Sequence, residues 1–60
     1  MSTFTLKLNT DNDAFTADPA AEVARILREA ADMLEGGTTG RSLSDYNGNR
    51  VGAFSLDTDD

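Results

Sequence analysis

The stretch from Asp18 to Gly37 constrains this chain more than any other. Asp18 stands directly before Pro19, an amphipathic run follows, and Gly36-Gly37 closes it. An aspartate at a helix start accepts a free backbone N–H, and proline fits the first helical position because no donor is needed there. Glycine permits the left-handed turn that ends a helix. The segment therefore predicts one helix with both ends marked. Val23, Leu27, Ala30 and Leu34 are expected to share its inner face, with Ile26 and Met33 on one shoulder and Ala20 and Ala31 on the other. Glu22, Arg25, Arg28, Glu29 and Asp32 fall on the solvent side, where Arg25–Glu29 and Arg28–Asp32 have the i,i+4 spacing of weak ion pairs.

On either side of the helix the pattern is that of strands. Phe4, Leu6 and Leu8 alternate with Thr3, Thr5, Lys7 and Asn9, the two-residue period of a half-buried strand. Asn9 to Ala17 is too polar to continue it and reads as a loop, with Phe15 expected to fold back over one end of the core. After the helix, Asn47-Gly48 lies between two extended runs, a strong hairpin signal. The residues favour a type I turn starting at Asp45, with Gly48 taking the positive φ of a bulge.

The final strand is ambiguous, because Val51 and Ala53 fall on one side and Phe54 and Leu56 on the other. Either Gly52 marks a second bulge that brings Val51, Phe54 and Leu56 together, or the strand is apolar on both faces. Asp57-Thr58-Asp59-Asp60 reads as a frayed acidic tail. The expected fold class is α+β, with the order β-α-β-β in a single domain over residues 1–60. The last strand is the most apolar and belongs in the middle of a three-stranded antiparallel sheet, with the helix across one face.

Composition limits what such a fold can do. Sixty residues with no cysteine and no histidine have neither a disulfide nor the commonest metal ligand and general base. A core of this size rarely supplies more than about 3–5 kcal/mol without such staples, so self-association or a partner chain is expected. Met1-Ser2-Thr3-Phe4 carries no basic segment or long apolar stretch, so no signal peptide is expected. No apolar run approaches the ~20 residues of a membrane span. The expected location is the cytosol.

Eleven acidic residues against five basic ones give a formal charge of −6. A surface of that sign repels phosphate and anionic membranes. Its plain reading is solubility, and its sharper reading is an acidic face that steers the chain toward a positively charged protein. Neither direct nucleic-acid contact nor membrane attachment is expected.

Chemistry is scarce. Ser42, Ser44 and Ser55 lack a histidine to activate them, and paired carboxylates need a cleft to push their pKa values apart. Asn9, Asp11 and Asp13 have the spacing that opens a calcium loop. The sixth position, however, is Ala14 where glycine is needed, and the twelfth is Ala20 where a bidentate glutamate belongs. No catalytic residue, metal site or cofactor is expected.

Surfaces remain. The exposed face of the sheet, the edge strands and Tyr46 at the hairpin tip, with Asp45, Asn47 and Asn49, are the candidates for partner binding, although a lone turn tyrosine more often packs on its own hairpin. The loop acids Asp11 and Asp13 and the helix acids Glu22, Glu29 and Asp32 complete the candidate surface. Edge strands add backbone donors and acceptors for sheet extension.

Three segments carry a resemblance: Asp11-Asn12-Asp13-Ala14-Phe15, Pro19 through Arg28, and Asp45-Tyr46-Asn47-Gly48-Asn49-Arg50-Val51-Gly52. Together they resemble short acidic orphan proteins encoded by bacteriophages and prophages. That group has no assigned activity, so no functional residue carries over. The resemblance implies a small non-enzymatic protein that binds and blocks a host protein. Antiviral-defence nucleases and CRISPR effectors are such targets, and their nucleic-acid channels are basic. In that setting the chain works in the host bacterial cytoplasm. The alternative is a structural or assembly protein that acts as a homodimer through its sheets.

Overall fold

The computed structural model describes residues 2–58. β1 (Thr3–Leu8) leads through a short 3-10 turn (Asp13–Phe15) into α1 (Pro19–Glu35), followed by β2 (Gly40–Ser44) and β3 (Arg50–Asp57). The sheet order is β1-β3-β2 with both pairings antiparallel. The expected α+β arrangement, with the last strand central, is the one observed.

The ends of α1 form where the sequence marks them. Asp18 accepts from the Ala21 N–H at 3.1 Å, and Pro19 occupies the first turn. At the other end the Thr38 N–H reaches the Met33 carbonyl at 2.9 Å and the Gly37 N–H reaches that of Leu34 at 3.1 Å. This crossed pair of bonds, with Gly37 at φ 99°, is a Schellman stop.

The buried face of α1 differs from the expected one. Ile26 and Ala30 are its buried apolar residues, Met33 is half-buried, and Glu22 lies in the same row and is buried. Leu27 is 45% exposed. The inner face is turned by roughly 75° from the expected stripe, less than one residue step of about 100°. The cause lies in the hairpin: Glu22 and Arg25 bond to it, which rolls that flank of the helix toward β2. Arg25–Glu29 pairs as its spacing predicts, whereas among the described residues Arg28 and Asp32 form no ion pair.

The pairing of β3 resolves the ambiguity of that strand. Leu43 opposes Gly52 and Ser44 opposes Arg50, so Val51 has no partner on β2. That extra residue is a bulge, and it turns Val51 onto the same side as Phe54. Both join Ala14, Phe15, Ile26, Ala30 and Leu43 in one buried cluster. Leu56 sits opposite Phe4 and stays half-buried. The sheet is therefore apolar on its helix side, while Thr3, Thr5, Lys7, Ser42 and Ser55 are exposed on the other. Phe15 closes one end of the core as expected, and a 3-10 turn capped by Asn12 holds it there.

The acidic tail needs one correction. Asp57 is the last residue of β3 and pairs with Thr3, while Asp59 and Asp60 lie outside the described residues. Among the described residues no helix is long and apolar enough to cross a membrane.

Candidate functional site

The hairpin tip is held by a dense set of hydrogen bonds. The Gly48 N–H donates to the Asp45 carbonyl at 3.0 Å and the Asp45 N–H to the Asn49 carbonyl at 2.9 Å. Gly48 has φ 87°, and Tyr46 and Asn47 keep negative φ. This is the type I turn with a glycine bulge that the sequence predicts.

Three consecutive residues at its base are each held by a different partner. The Ser44 carbonyl accepts from Arg25 Nη2 at 3.2 Å. The Asp45 carboxylate turns inward, with Oδ1 accepting from the backbone N–H groups of Asn47 and Asn49 at 2.8 and 2.9 Å. Its Oδ2 accepts from Asn12 Nδ2 at 2.8 Å, which ties the hairpin to the loop before α1. Finally, the Tyr46 N–H donates to Glu22 Oε2 at 2.9 Å.

Glu22 and Arg25 act as a unit. Arg25 Nε and Nη2 donate to the two carboxylate oxygens of Glu22 at 2.8 and 2.9 Å, a forked pair. Arg25 Nη1 also bonds to Glu29 on the next turn. One helix flank thus holds both the carbonyl before Asp45 and the N–H after it.

The carboxyls respond to these partners. The Arg25 guanidinium holds the Glu22 carboxyl below its ordinary value; burial opposes this, and the Tyr46 N–H adds to it. For Asp45, burial pushes upward, yet the N–H groups of Asn49 and Asn47 and the Asn12 amide together hold it below its ordinary value. Glu22 in turn raises the Arg25 guanidinium. At neutral pH all three groups are charged.

The nine candidate residues therefore divide. Glu22 and Asp45 are 7% and 4% exposed, so both belong to the support and neither offers a free carboxylate to a partner. Glu22 was expected on the solvent side; the rolled helix places it inside. Tyr46 is 63% exposed, and Asn47 and Asn49 are exposed beside it. Asp13 shares an open groove with Tyr46, Asp18, Ala17, Ala21 and Arg25. Asp11 lies in a neighbouring hollow with Arg50, Asn9 and Asn12. Glu29 is engaged by Arg25, and Asp32 stands ten residues beyond Glu22, about 15 Å along the helix, outside the cluster.

Arg25 and Asn12 are the participants that the sequence did not single out. An aspartate opening a Tyr-Asn-Gly turn does signal side-chain bonds to the N–H groups that follow. Nothing local signals the Asn12–Asp45 bond across 33 positions.

Among the described residues, no group of three or more acidic side chains is placed to hold a metal ion. Compared with known protein families, curated proteins and solved structures, the chain matches none.

Proposed function

We propose that this chain is a non-catalytic protein-binding module that presents the Tyr46 tip to a partner with a basic surface. The observation that carries the reading is the contrast at the tip. Its backbone is held by Arg25 and Glu22 and its Asp45 carboxylate by Asn12, while the Tyr46 ring stays largely in solvent. Tyrosine offers large contact area with few rotatable bonds, and fixing its backbone beforehand lowers the entropy lost on docking.

The surroundings supply the charge. Asp13 and Asp18 line an open groove together with Ala14, Ala17, Ala21 and Tyr46. Arg25, the cation in that lining, is already paired with Glu22 and Glu29, so the two aspartates are left to meet the aliphatic stem and charged head of a lysine or arginine. The cationic head then meets carboxylates and the tyrosine face. A net charge of −6 steers such a partner from a distance. The most concrete form of this function is an inhibitor that occupies the basic, nucleic-acid-binding groove of a host defence protein in the bacterial cytoplasm.

The test is affinity capture from bacterial lysate at low salt, followed by mass spectrometry and a binding assay on the captured protein. Tyr46→Ala is expected to weaken binding at least about tenfold with the fold intact, and added salt to weaken it further. Capture that recovers nothing at low salt, or binding indifferent to Tyr46→Ala, rejects the proposal.

A further inference from the structure

The two edges of the sheet are not equivalent. In β2 the Leu56 N–H donates to the Thr39 carbonyl, so by strand alternation the odd-numbered residues face β3 and Gly40, Ser42 and Ser44 face outward. That edge is blunted, because the outward Ser44 carbonyl is taken by Arg25. Arg41, opposite Phe54, adds a charge to it.

In β1 the Asn9 N–H donates to the Val51 carbonyl at 2.7 Å. Alternation then turns the backbone groups of Thr3, Thr5 and Lys7 toward β3 and those of Phe4, Leu6 and Leu8 out of the free edge. Among the described residues no side chain bonds to these outward groups.

The same three residues carry the apolar side chains of the helix face. Phe4 is 48% exposed, Leu6 and Leu8 are half-buried, and the Phe4 ring lies 6.2 Å from that of Phe54. On α1, Val23 and Leu34 are half-buried against the same core as Leu6 and Leu8, and Leu27 is largely exposed, so the flank of the helix away from Glu22 and Arg25 is incompletely covered. Among the described residues, β1 is thus a strand whose unpaired backbone groups and under-covered apolar side chains sit together.

We propose that β1 pairs antiparallel with β1 of a second copy, making a six-stranded sheet with both helices on one face. The strand is its own complement. Hydrogen bonding requires outward-facing residues to oppose each other, and centring the pair on Leu6 sets Phe4 against Leu8 of the second copy. The apolar face therefore continues unbroken across the junction. On the other face Thr5 meets Lys7 of the second copy, so no like charges oppose. β1 contains no acidic residue, which keeps the net charge of −6 away from the contact. A foreign strand has no such match built into this chain. The contact lies on the opposite flank of α1 from the Tyr46 tip and does not depend on that reading; a dimer would display two tips.

The test uses the full chain. Sedimentation equilibrium up to about 1 mM is expected to show a dimer, a range that reaches even weak association. Methylating the Leu6 backbone nitrogen removes an outward donor without touching the core. It is expected to weaken the dimer at least about tenfold with the circular dichroism spectrum unchanged. Thr5→Lys, which sets two lysines opposite each other from an exposed site, is expected to act in the same direction.

The chain has no cysteine, so the register can be read directly. Thr5→Cys and Lys7→Cys chains mixed together are expected to form a mixed disulfide faster than either forms its own, because opposed non-hydrogen-bonded residues lie about 4.5 Å apart. A monomer throughout that range overturns the proposal. So does a dimer unaffected by both edge changes, since another surface would then hold it, and so does the absence of preferred mixed cross-linking.

Discussion

The backbone N–H of Tyr46 donates to Glu22 Oε2 at 2.9 Å although the residues are 24 positions apart. One carboxylate therefore satisfies the hairpin and, through its forked bonds to Arg25, the helix. The tip needs this side chain for its position, and the helix takes its rotation from the same bond.

If Glu22 anchors the tip, replacing it should loosen the hairpin before it unfolds the core. In Glu22→Gln an amide N–H₂ stands where one acceptor oxygen was, so either the Arg25 Nε bond is lost or the Arg25 Nη2 and Tyr46 bonds are lost together. In both cases the charge that holds Arg25 is gone. The Tyr46 amide is expected to exchange with solvent at least about tenfold faster by NMR, while the amides of Phe54 and Ile26 change much less. Equal acceleration everywhere would show that the anchor is global instead of local.

Acid should release the same anchor. Glu22 and Asp45 are both held below their ordinary values of 4.5 and 3.8, so the unfolded chain binds protons first as pH falls. Their stabilisation is complete above those values and is lost as pH drops through the lower, folded ones. The melting temperature is therefore expected to be flat from neutrality to about pH 5 and to fall below it, with no step between pH 5 and 8 because the chain has no histidine. Glu22→Gln and Asp45→Asn should each flatten the acid limb.

The rotation of α1 can be checked with two neighbouring residues. Ile26 is fully buried in the core cluster, whereas Leu27 is largely exposed. Ile26→Ala is expected to cost about 2–5 kcal/mol in urea denaturation, enough to unfold much of the population in so small a domain. Leu27→Ala should cost under about 1 kcal/mol in the monomer. Periodicity alone predicts the reverse order, since that reading puts Leu27 on the inner face and Ile26 on its shoulder.

That contrast marks where the sequence is legible. Helix ends, strand alternation and the Asp45–Gly48 turn depend on residues within a few positions of each other, and all three form as the pattern predicts. Tyr46 at the tip was legible for the same reason. The rotation of α1, the burial of Glu22 and the inward turn of Asp45 depend on bonds across 19 to 33 positions. A charged residue in a helix pattern reads as solvent-facing unless its partner is known, and here the partners are a backbone N–H and an arginine three residues on. For the last strand the pattern narrowed the choice to two arrangements, and only the register with β2 decides between them.

Gly52 shows why that register leaves little freedom. A Cβ placed there would lie far inside van der Waals contact of the Lys7 carbonyl oxygen and 2.9 Å from Leu8 Cδ2. The first obstacle is backbone and cannot rotate away, so β1 would have to move off β3 at the point where Leu8 opposes Gly52. Gly52→Ala is expected to cost about 3 kcal/mol, at the upper end of overpacking, and so to remove most of the stability of so small a domain. Gly40→Ala serves as the control. Its Cβ would meet nothing closer than the Phe54 carbonyl oxygen at 3.4 Å, so a loss below about 1 kcal/mol is expected. Equal losses at the two sites in urea titrations would mean that the close approach of β1 to Gly52 does not set the register, and that glycine serves there only for backbone freedom.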